Sequence, residues 1–127
     1  MPDLAFTRQR RLLSKADYKR VFDNAIKLST PVFTILFRRN QLEYSRLGLA
    51  IAKKQLPKAV QRNRVKRLVR ESFRLHMHTI EGLDFVVMAR KGIIKLDNAV
   101  VATQLKGLWG KVEQAEKRAR RKSEHTR

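Results

Sequence analysis

Two neighbouring stretches decide the fold: Arg46-Leu47-Gly48-Leu49-Ala50-Ile51-Ala52 and, after a polar link, Arg62-Asn63-Arg64-Val65-Lys66-Arg67-Leu68-Val69-Arg70-Glu71-Ser72-Phe73-Arg74. The first alternates large residues (Leu47, Leu49, Ile51) with small ones (Gly48, Ala50, Ala52), the two-residue period of a strand. A face of small residues lets a helix or a ligand approach the backbone closely. The second stretch places Val65, Leu68, Val69, Ser72 and Phe73 at i, i+3, i+4, i+7 and i+8. That is one apolar stripe of a helix running from about Ala59 to Leu75, with Pro57 suited to a first helical position. A further strand, Leu83–Ala89, follows Glu81-Gly82, so a helix connects two strands.

Outward from this unit, Ser14 and Asp17 have capping-box spacing and open a helix to about Ala25. Its stripe is Tyr18, Val21, Phe22 and Ala25. Thr30-Pro31 breaks the chain before a strand over Val32–Phe37. There Phe33, Ile35 and Phe37 share one face, and Val32, Thr34 and Leu36 the other. Arg38-Arg39-Asn40-Gln41 reads as a polar link. A last helix over about Asn98–Ala115 buries Val101, Leu105, Leu108, Trp109 and Val112, while Gly107 and Gly110 each weaken it by about 1 kcal/mol. Met1–Leu13 reads as an extended basic arm. The order helix, strand, strand, helix, strand, helix predicts one small α/β (α+β) domain over residues 1–127, a two-layer sandwich with flexible basic ends at about 1–8 and 116–127.

The 127 residues carry 30 Lys+Arg against 11 Asp+Glu, a net charge of +19, with 43% hydrophobic residues. The apolar share is that of a folded protein, and the charge points to a polyanionic partner. Cysteine is absent, which excludes disulfides, thiolate metal sites and cysteine nucleophiles. No apolar run approaches the roughly 20 residues of a membrane span, and the start lacks a secretory pattern. A cytoplasmic protein is the expectation. His76 and His78 are two apart, the wrong spacing for one helix face, and the five glycines form no phosphate loop. No protein-borne catalytic or metal-binding set can be assembled.

The charge is unevenly spread. Residues 53–74 hold nine bases and one acid, nearly half of the net charge in 22 residues. On the helix, Arg62, Lys66, Arg70 and Arg74 recur every fourth residue as a ridge, flanked by Arg64 and Arg67. Like charges at this spacing destabilise an isolated helix, and only Glu71 offers internal relief. An external anion explains the ridge better than a solvated face, which would mix signs. The predominance of Arg favours forked contacts to phosphate oxygens. A DNA-reading helix would come with a helix-turn-helix pattern, whereas strands flank this one.

Arg62-Asn63-Arg64-x-Lys66-Arg67-x-x-Arg70-Glu71-x-Phe73-Arg74 resembles the arginine-asparagine-arginine signature of the bacterial ribonuclease P protein subunit. Arg11-Leu12, Asp17-Tyr18-x-x-Val21-Phe22, Gly48-Leu49-Ala50-Ile51-Ala52-Lys53-Lys54 and Asp84-Phe85-Val86-Val87 agree in order and spacing over about residues 8–112. The resemblance implies the order αβββαβα with a left-handed βαβ crossover, against the usual hand, and so a fourth strand hidden in Val32–Tyr44. It implies the protein component of an RNA-based endoribonuclease that removes the 5′ leader of precursor transfer RNA. The chemistry and the Mg²⁺ belong mainly to the catalytic RNA, with no metal bound by the protein alone, no catalytic residue on the protein and no protein partner required.

By the same resemblance Arg62, Asn63, Arg64, Lys66, Arg67, Arg70 and Arg74, with Lys53 and Lys54, face the catalytic RNA. Tyr18, Phe22, Phe33 and Arg11 belong to a cleft for the 5′ leader. Tyr18 replaces a commoner Phe, keeping the ring and adding a hydroxyl. Spacing alone favours Tyr18 and Phe22 as core, since their stripe is also how the first helix docks; the resemblance reverses this for Tyr18 more than for Phe22. A ribosomal or other structural RNA-binding protein is the alternative from a different class.

Overall fold

The computed structural model describes residues 7–125. Its elements are α1 (Lys15–Asp23), β1 (Ile26–Ser29), β2 (Phe33–Arg39), β3 (Arg46–Leu49), α2 (Ala59–His76), β4 (Leu83–Ala89) and α3 (Asn98–His125). Single 3₁₀ segments precede α1 (Arg8–Arg10), follow α2 (Met77–Thr79) and precede α3 (Lys91–Lys95). The four strands form one mixed sheet in the order β1-β2-β4-β3. β1 and β4 each run antiparallel to β2, whereas β3 and β4, joined through α2, are parallel.

Strand alternation divides the side chains between two layers. Phe33, Ile35 and Phe37 of β2, with Phe85, Val87 and Ala89 of β4, pack beneath Val65, Val69 and Phe73 of α2 and Val101, Leu105 and Trp109 of α3. Phe85 lies at the centre, edge-on to Trp109 with ring centroids 5.4 Å apart and to Phe73 at 5.9 Å, geometries that aromatic quadrupoles favour. The Trp109 indole N–H donates to Ser72 Oγ at 2.8 Å, satisfying both buried groups. On the opposite face α1 buries Val21 against Val86 and Leu12, with Tyr18, Leu36 and Ala50 partly buried around them.

Several boundaries differ from the sequence reading. The fourth strand is β1, ahead of Val32, and not a segment hidden within Val32–Tyr44. β2 extends through Arg38 and Arg39, which pair with Asp84 and Leu83, so these residues are strand and not link. The β3 ladder ends at Leu49, although the Ala50 N–H still donates to the Val87 carbonyl at 3.0 Å. α1 does open with a reciprocal Ser14–Asp17 capping box. Pro57 lies one residue ahead of the α2 N-cap, Lys58. α3 continues to His125, well past Ala115. Of the ends expected to be flexible, residues 1–6 and 126–127 lie outside the described residues. The rest of the arm is docked, with Leu12 buried and its N–H donating to the Leu47 carbonyl at 3.0 Å.

Gly107 and Gly110 sit on the exposed side of α3, and a Cβ at either would meet nothing within 4 Å. Their cost is conformational freedom alone. Gly107→Ala and Gly110→Ala should each stabilise the protein by about 0.5–1 kcal/mol. That corresponds to a rise of several degrees in Tm, and a thermal melt checks it; a fall would show that α3 needs the local flexibility.

Candidate nucleic-acid interface

The α2 stripe that packs on the sheet leaves the opposite side of the helix facing out. Asn63, Lys66, Arg67, Arg70 and Arg74 line a surface hollow of about 370 Å³ there, together with Glu71. Glu71 pairs with Arg74, accepting from its Nε at 3.1 Å and its Nη2 at 2.5 Å. Glu71 is held below its ordinary pKa, chiefly by the Arg74 hydrogen bonds. Among the described residues, Lys66, Arg67 and Arg70 have no carboxylate within 4.0 Å. The ridge is therefore a three-cation surface whose charge is not neutralised by the described carboxylates.

Two expected members turn elsewhere. Arg62 Nη1 donates to the carbonyls of Leu56 and Pro57, each at 2.8 Å, closing the loop ahead of α2. Arg64 donates from Nε to Asn98 Oδ1 at 2.9 Å and from Nη2 to the Leu96 carbonyl at 2.5 Å. Arg64 thus ties α2 to the start of α3, and its guanidinium is spent on the protein's own acceptors. Lys53 and Lys54 lie on an exposed turn and border neither this hollow nor the one described next.

A second hollow, about 300 Å³, opens at the β3 edge of the sheet. Arg11, Leu12 and Leu13 of the arm, Tyr18 of α1, Leu47 and Leu49 of β3, and Lys66 and Arg70 of α2 line it. Lys66 and Arg70 border both hollows, so the α2 surface and this cleft share a rim. Among the described residues no acidic side chain lines the cleft. Tyr18 is seated by Gly48, where a Cβ would come within 2.7 Å of the ring. The Leu49 N–H donates to the Tyr18 hydroxyl at 3.1 Å, so the hydroxyl caps an N–H of the edge strand. The small-residue face of β3 is thus the seat of this aromatic ring.

The other two aromatics lie apart. Phe22 is 49% exposed but does not border the cleft. Phe33 is fully buried, on the sheet face covered by α2 and α3, because strand alternation puts it with Ile35 and Phe37. The assignment of Phe33 to the cleft is corrected on that ground: its ring is core.

Sequence reasoning missed the anchor that sets the arm in place. Arg10 donates from both terminal nitrogens to Glu81, at 2.8 and 2.9 Å, and the Ser45 N–H donates to Glu81 Oε1 at 2.9 Å. Burial by itself would raise the Glu81 pKa, but these bonds outweigh it and hold the carboxyl below its ordinary range. Arg10 and Glu81 are 71 residues apart, and no local pattern announces such a pair. Asp17 behaves similarly: burial opposes its ionisation, and the Ser14 hydrogen bonds and Arg46 overcome that. Among the described residues no group of His, Asp or Glu side chains could hold a metal ion, and no helix is long and apolar enough to cross a membrane.

Comparison with known proteins agrees with this architecture. The ribonuclease P family model matches residues 6–113. The ribonuclease P protein component of Haemophilus influenzae (strain PittGG) is 52% identical over 109 residues, covering 86% of this chain and 92% of the relative. That of Yersinia enterocolitica is 48% identical over the same span and shares. The solved RNase P protein of Thermotoga maritima superposes with a TM-score of 0.71 at 36% identity, covering 78% of this chain and 94% of that one. A Staphylococcus aureus RNase P protein gives 0.72 at 28% identity, covering 77% and 90%. With the strand and helix order, the basic α2 surface and these similarities in agreement, the chain belongs to the ribonuclease P protein component family.

Proposed function

We propose that this protein binds the catalytic RNA of ribonuclease P through Asn63, Lys66, Arg67 and Arg70, and holds the 5′ leader of precursor transfer RNA in the cleft lined by Arg11 and Tyr18. The observation that carries this reading is the shared rim: Lys66 and Arg70 border both a helix surface rich in unneutralised cations and an aromatic-bearing cleft free of acids. Phosphates along either path meet positive charge, and a base entering the cleft meets the Tyr18 ring. Stacking of this kind holds single strands with little sequence demand. The protein would screen backbone repulsion between leader and catalytic RNA, with Lys53 and Lys54 adding to the local positive potential.

In this reading hydrolysis of the phosphodiester belongs to the RNA. His76 Nδ1 bonds the Ser72 carbonyl at 2.8 Å, and His78 lies 3.8 Å from Glu81. Cations dominate both hollows, and the Glu71 carboxylate in the first is bonded to Arg74, so this reading assigns Mg²⁺ to the RNA. The protein needs no protein partner for this role, and its place is the cytoplasm, where precursor transfer RNA is processed.

Reconstitution with a bacterial ribonuclease P RNA at low Mg²⁺ tests the proposal. Added protein should restore cleavage of precursor transfer RNA. Tyr18→Ala should weaken binding of substrates that carry a leader by about 1–3 kcal/mol and leave binding of mature transfer RNA unchanged. Tyr18→Phe should retain leader binding. Absence of any protein effect on cleavage would sink the functional reading. Equal losses with and without a leader would return Tyr18 to a purely structural role.

A further inference from the structure

The family match ends at residue 113, but α3 does not. Residues 114–127 hold six bases and two acids, and the helix runs on through His125. The extension is fixed to the body of the protein. Ala115 packs against the core, and Glu116 Oε1 accepts from Arg39 Nε of β2 at 3.0 Å with its side chain only 14% exposed. Glu116 and Ala119 line a surface hollow with Asn24, Ala25 and Ile26, the link from α1 into β1. This anchoring lies toward the β1 edge of the sheet, the edge opposite β3, where Arg11, Lys66 and Arg70 meet.

Helical spacing separates the two sides of the extension. Val112, Ala115, Glu116 and Ala119 fall at i, i+3, i+4 and i+7 and face the sheet. Lys117, Arg118, Arg120 and Arg121 lie outside that stripe, and Lys117, Arg118, Arg120 and Arg121 carry the charge of the outward side. Glu113 reaches Lys117 at 3.4 Å, and Glu116, already bonded to Arg39, lies 3.9 Å from Arg120. Among the described residues no carboxylate pairs with Arg118 or Arg121. Exposed pairs such as Lys117–Glu113 remove little of the surrounding potential. Four bases within five residues repel one another along the helix, and the few acids nearby do not balance them. An external polyanion would.

We propose that this extension of α3 is a second contact for an RNA phosphodiester backbone, distinct from α2 and from the cleft, so that one protein molecule grips RNA at both edges of its sheet. The inference rests on the RNA-binding reading above but concerns residues that the family match does not include.

The test uses the full chain. A variant with Lys117→Gln, Arg118→Gln, Arg120→Gln and Arg121→Gln keeps helix-forming side chains and the Glu116–Arg39 anchor. Its affinity is measured across a KCl series for the catalytic RNA alone, and for catalytic RNA already holding precursor transfer RNA. For every phosphate the variant no longer neutralises, the log–log salt slope should flatten by roughly 0.7–0.9, and we expect a change of at least about 1.4, the share of two phosphates. A change in the first arm places the contact on the catalytic RNA; a change in the second arm alone places it on the substrate. Arg118→Lys, Arg120→Lys and Arg121→Lys together should preserve the slope. Unchanged slopes for the four-Gln variant in both arms would overturn this inference. An Arg67→Gln control keeps the two readings apart: if it flattens the slope while the four-Gln variant does not, only the second contact falls. If the unaltered protein binds neither RNA, both readings fall.

Discussion

Replacing Arg46 by Ala should cost about 3–5 kcal/mol of folding stability, the range for removing one partner of a buried ion pair. Asp84 is 1% exposed. Arg46 donates to it from Nε at 2.9 Å and from Nη2 at 2.7 Å, and Asn40 Nδ2 donates to the same carboxylate at 2.9 Å. Arg46 and Asp84 are register partners in the parallel β3–β4 ladder. Without the guanidinium, a carboxylate remains in the sheet with one amide for company. A domain of this size has only about 5–15 kcal/mol in hand, so the loss is a large fraction of the whole. Arg46→Met with Asp84→Leu removes both charges and should recover much of it. Urea denaturation of the two variants decides the matter. A loss below about 1 kcal/mol for Arg46→Ala would mean that water or Asn40 already solvates Asp84 adequately.

The same pair matters to the interface through position. Arg46 opens the strand whose Gly48 seats Tyr18 and whose Leu47 carbonyl receives the arm. Destabilising this edge should therefore blunt the cleft before the α2–α3 layer is affected, because that layer has its own aromatic centre at Phe85 and Trp109.

Elements with a long periodic pattern are legible in the sequence. The α2 stripe, the α3 stripe with Trp109 in the core, and the Ser14–Asp17 cap follow from side-chain spacing. So does the small-residue face of β3, whose close approach is realised by Tyr18. β1 escapes a sequence reading for a physical reason: four residues at a sheet edge, three of them exposed, carry too short and too weak an alternation. Phe33 falls in a different layer from the one expected because alternation tells which residues share a face, and not which helix covers it. The end of α3 lies later than expected because charge runs suggest fraying, while the Glu116–Arg39 contact joins residues 77 apart.

The basic signature is legible as a group but not residue by residue. A helical wheel puts Arg62 and Arg74 on one ridge with Lys66 and Arg70. It does not show that Arg62 folds back on the carbonyls of Leu56 and Pro57, or that Glu71 occupies Arg74. Arg64 is the clearest case, since its acceptors at Leu96 and Asn98 lie 32 and 34 residues away and only the tertiary fold brings them near. What is left for an external anion is a smaller set than the motif suggests, with Lys66, Arg67 and Arg70 at its centre.

Lys66→Ala combined with Arg70→Ala is expected to produce the largest functional loss of any pair on the surface. Removing one phosphate contact lowers the log–log salt slope by roughly 0.7–0.9, equivalent at 0.1 M salt to about five- to eight-fold in affinity. Together the two should weaken binding to catalytic RNA by about 25- to 60-fold under those conditions. Stability should change little, because neither side chain has a carboxylate partner among the described residues and the stripe residues Val65, Val69 and Phe73 are untouched. The shared rim gives the double variant a second consequence. Its discrimination between leader-bearing and leaderless substrates should fall as well. Arg67→Ala, which lines only the α2 hollow of the two, should weaken binding to catalytic RNA while leaving leader discrimination intact. Titration of both variants with the two substrates at several salt concentrations separates these effects. If Arg67→Ala reduced leader discrimination as much as the pair does, the two hollows would act as one undivided surface, and the separate role of the cleft would disappear.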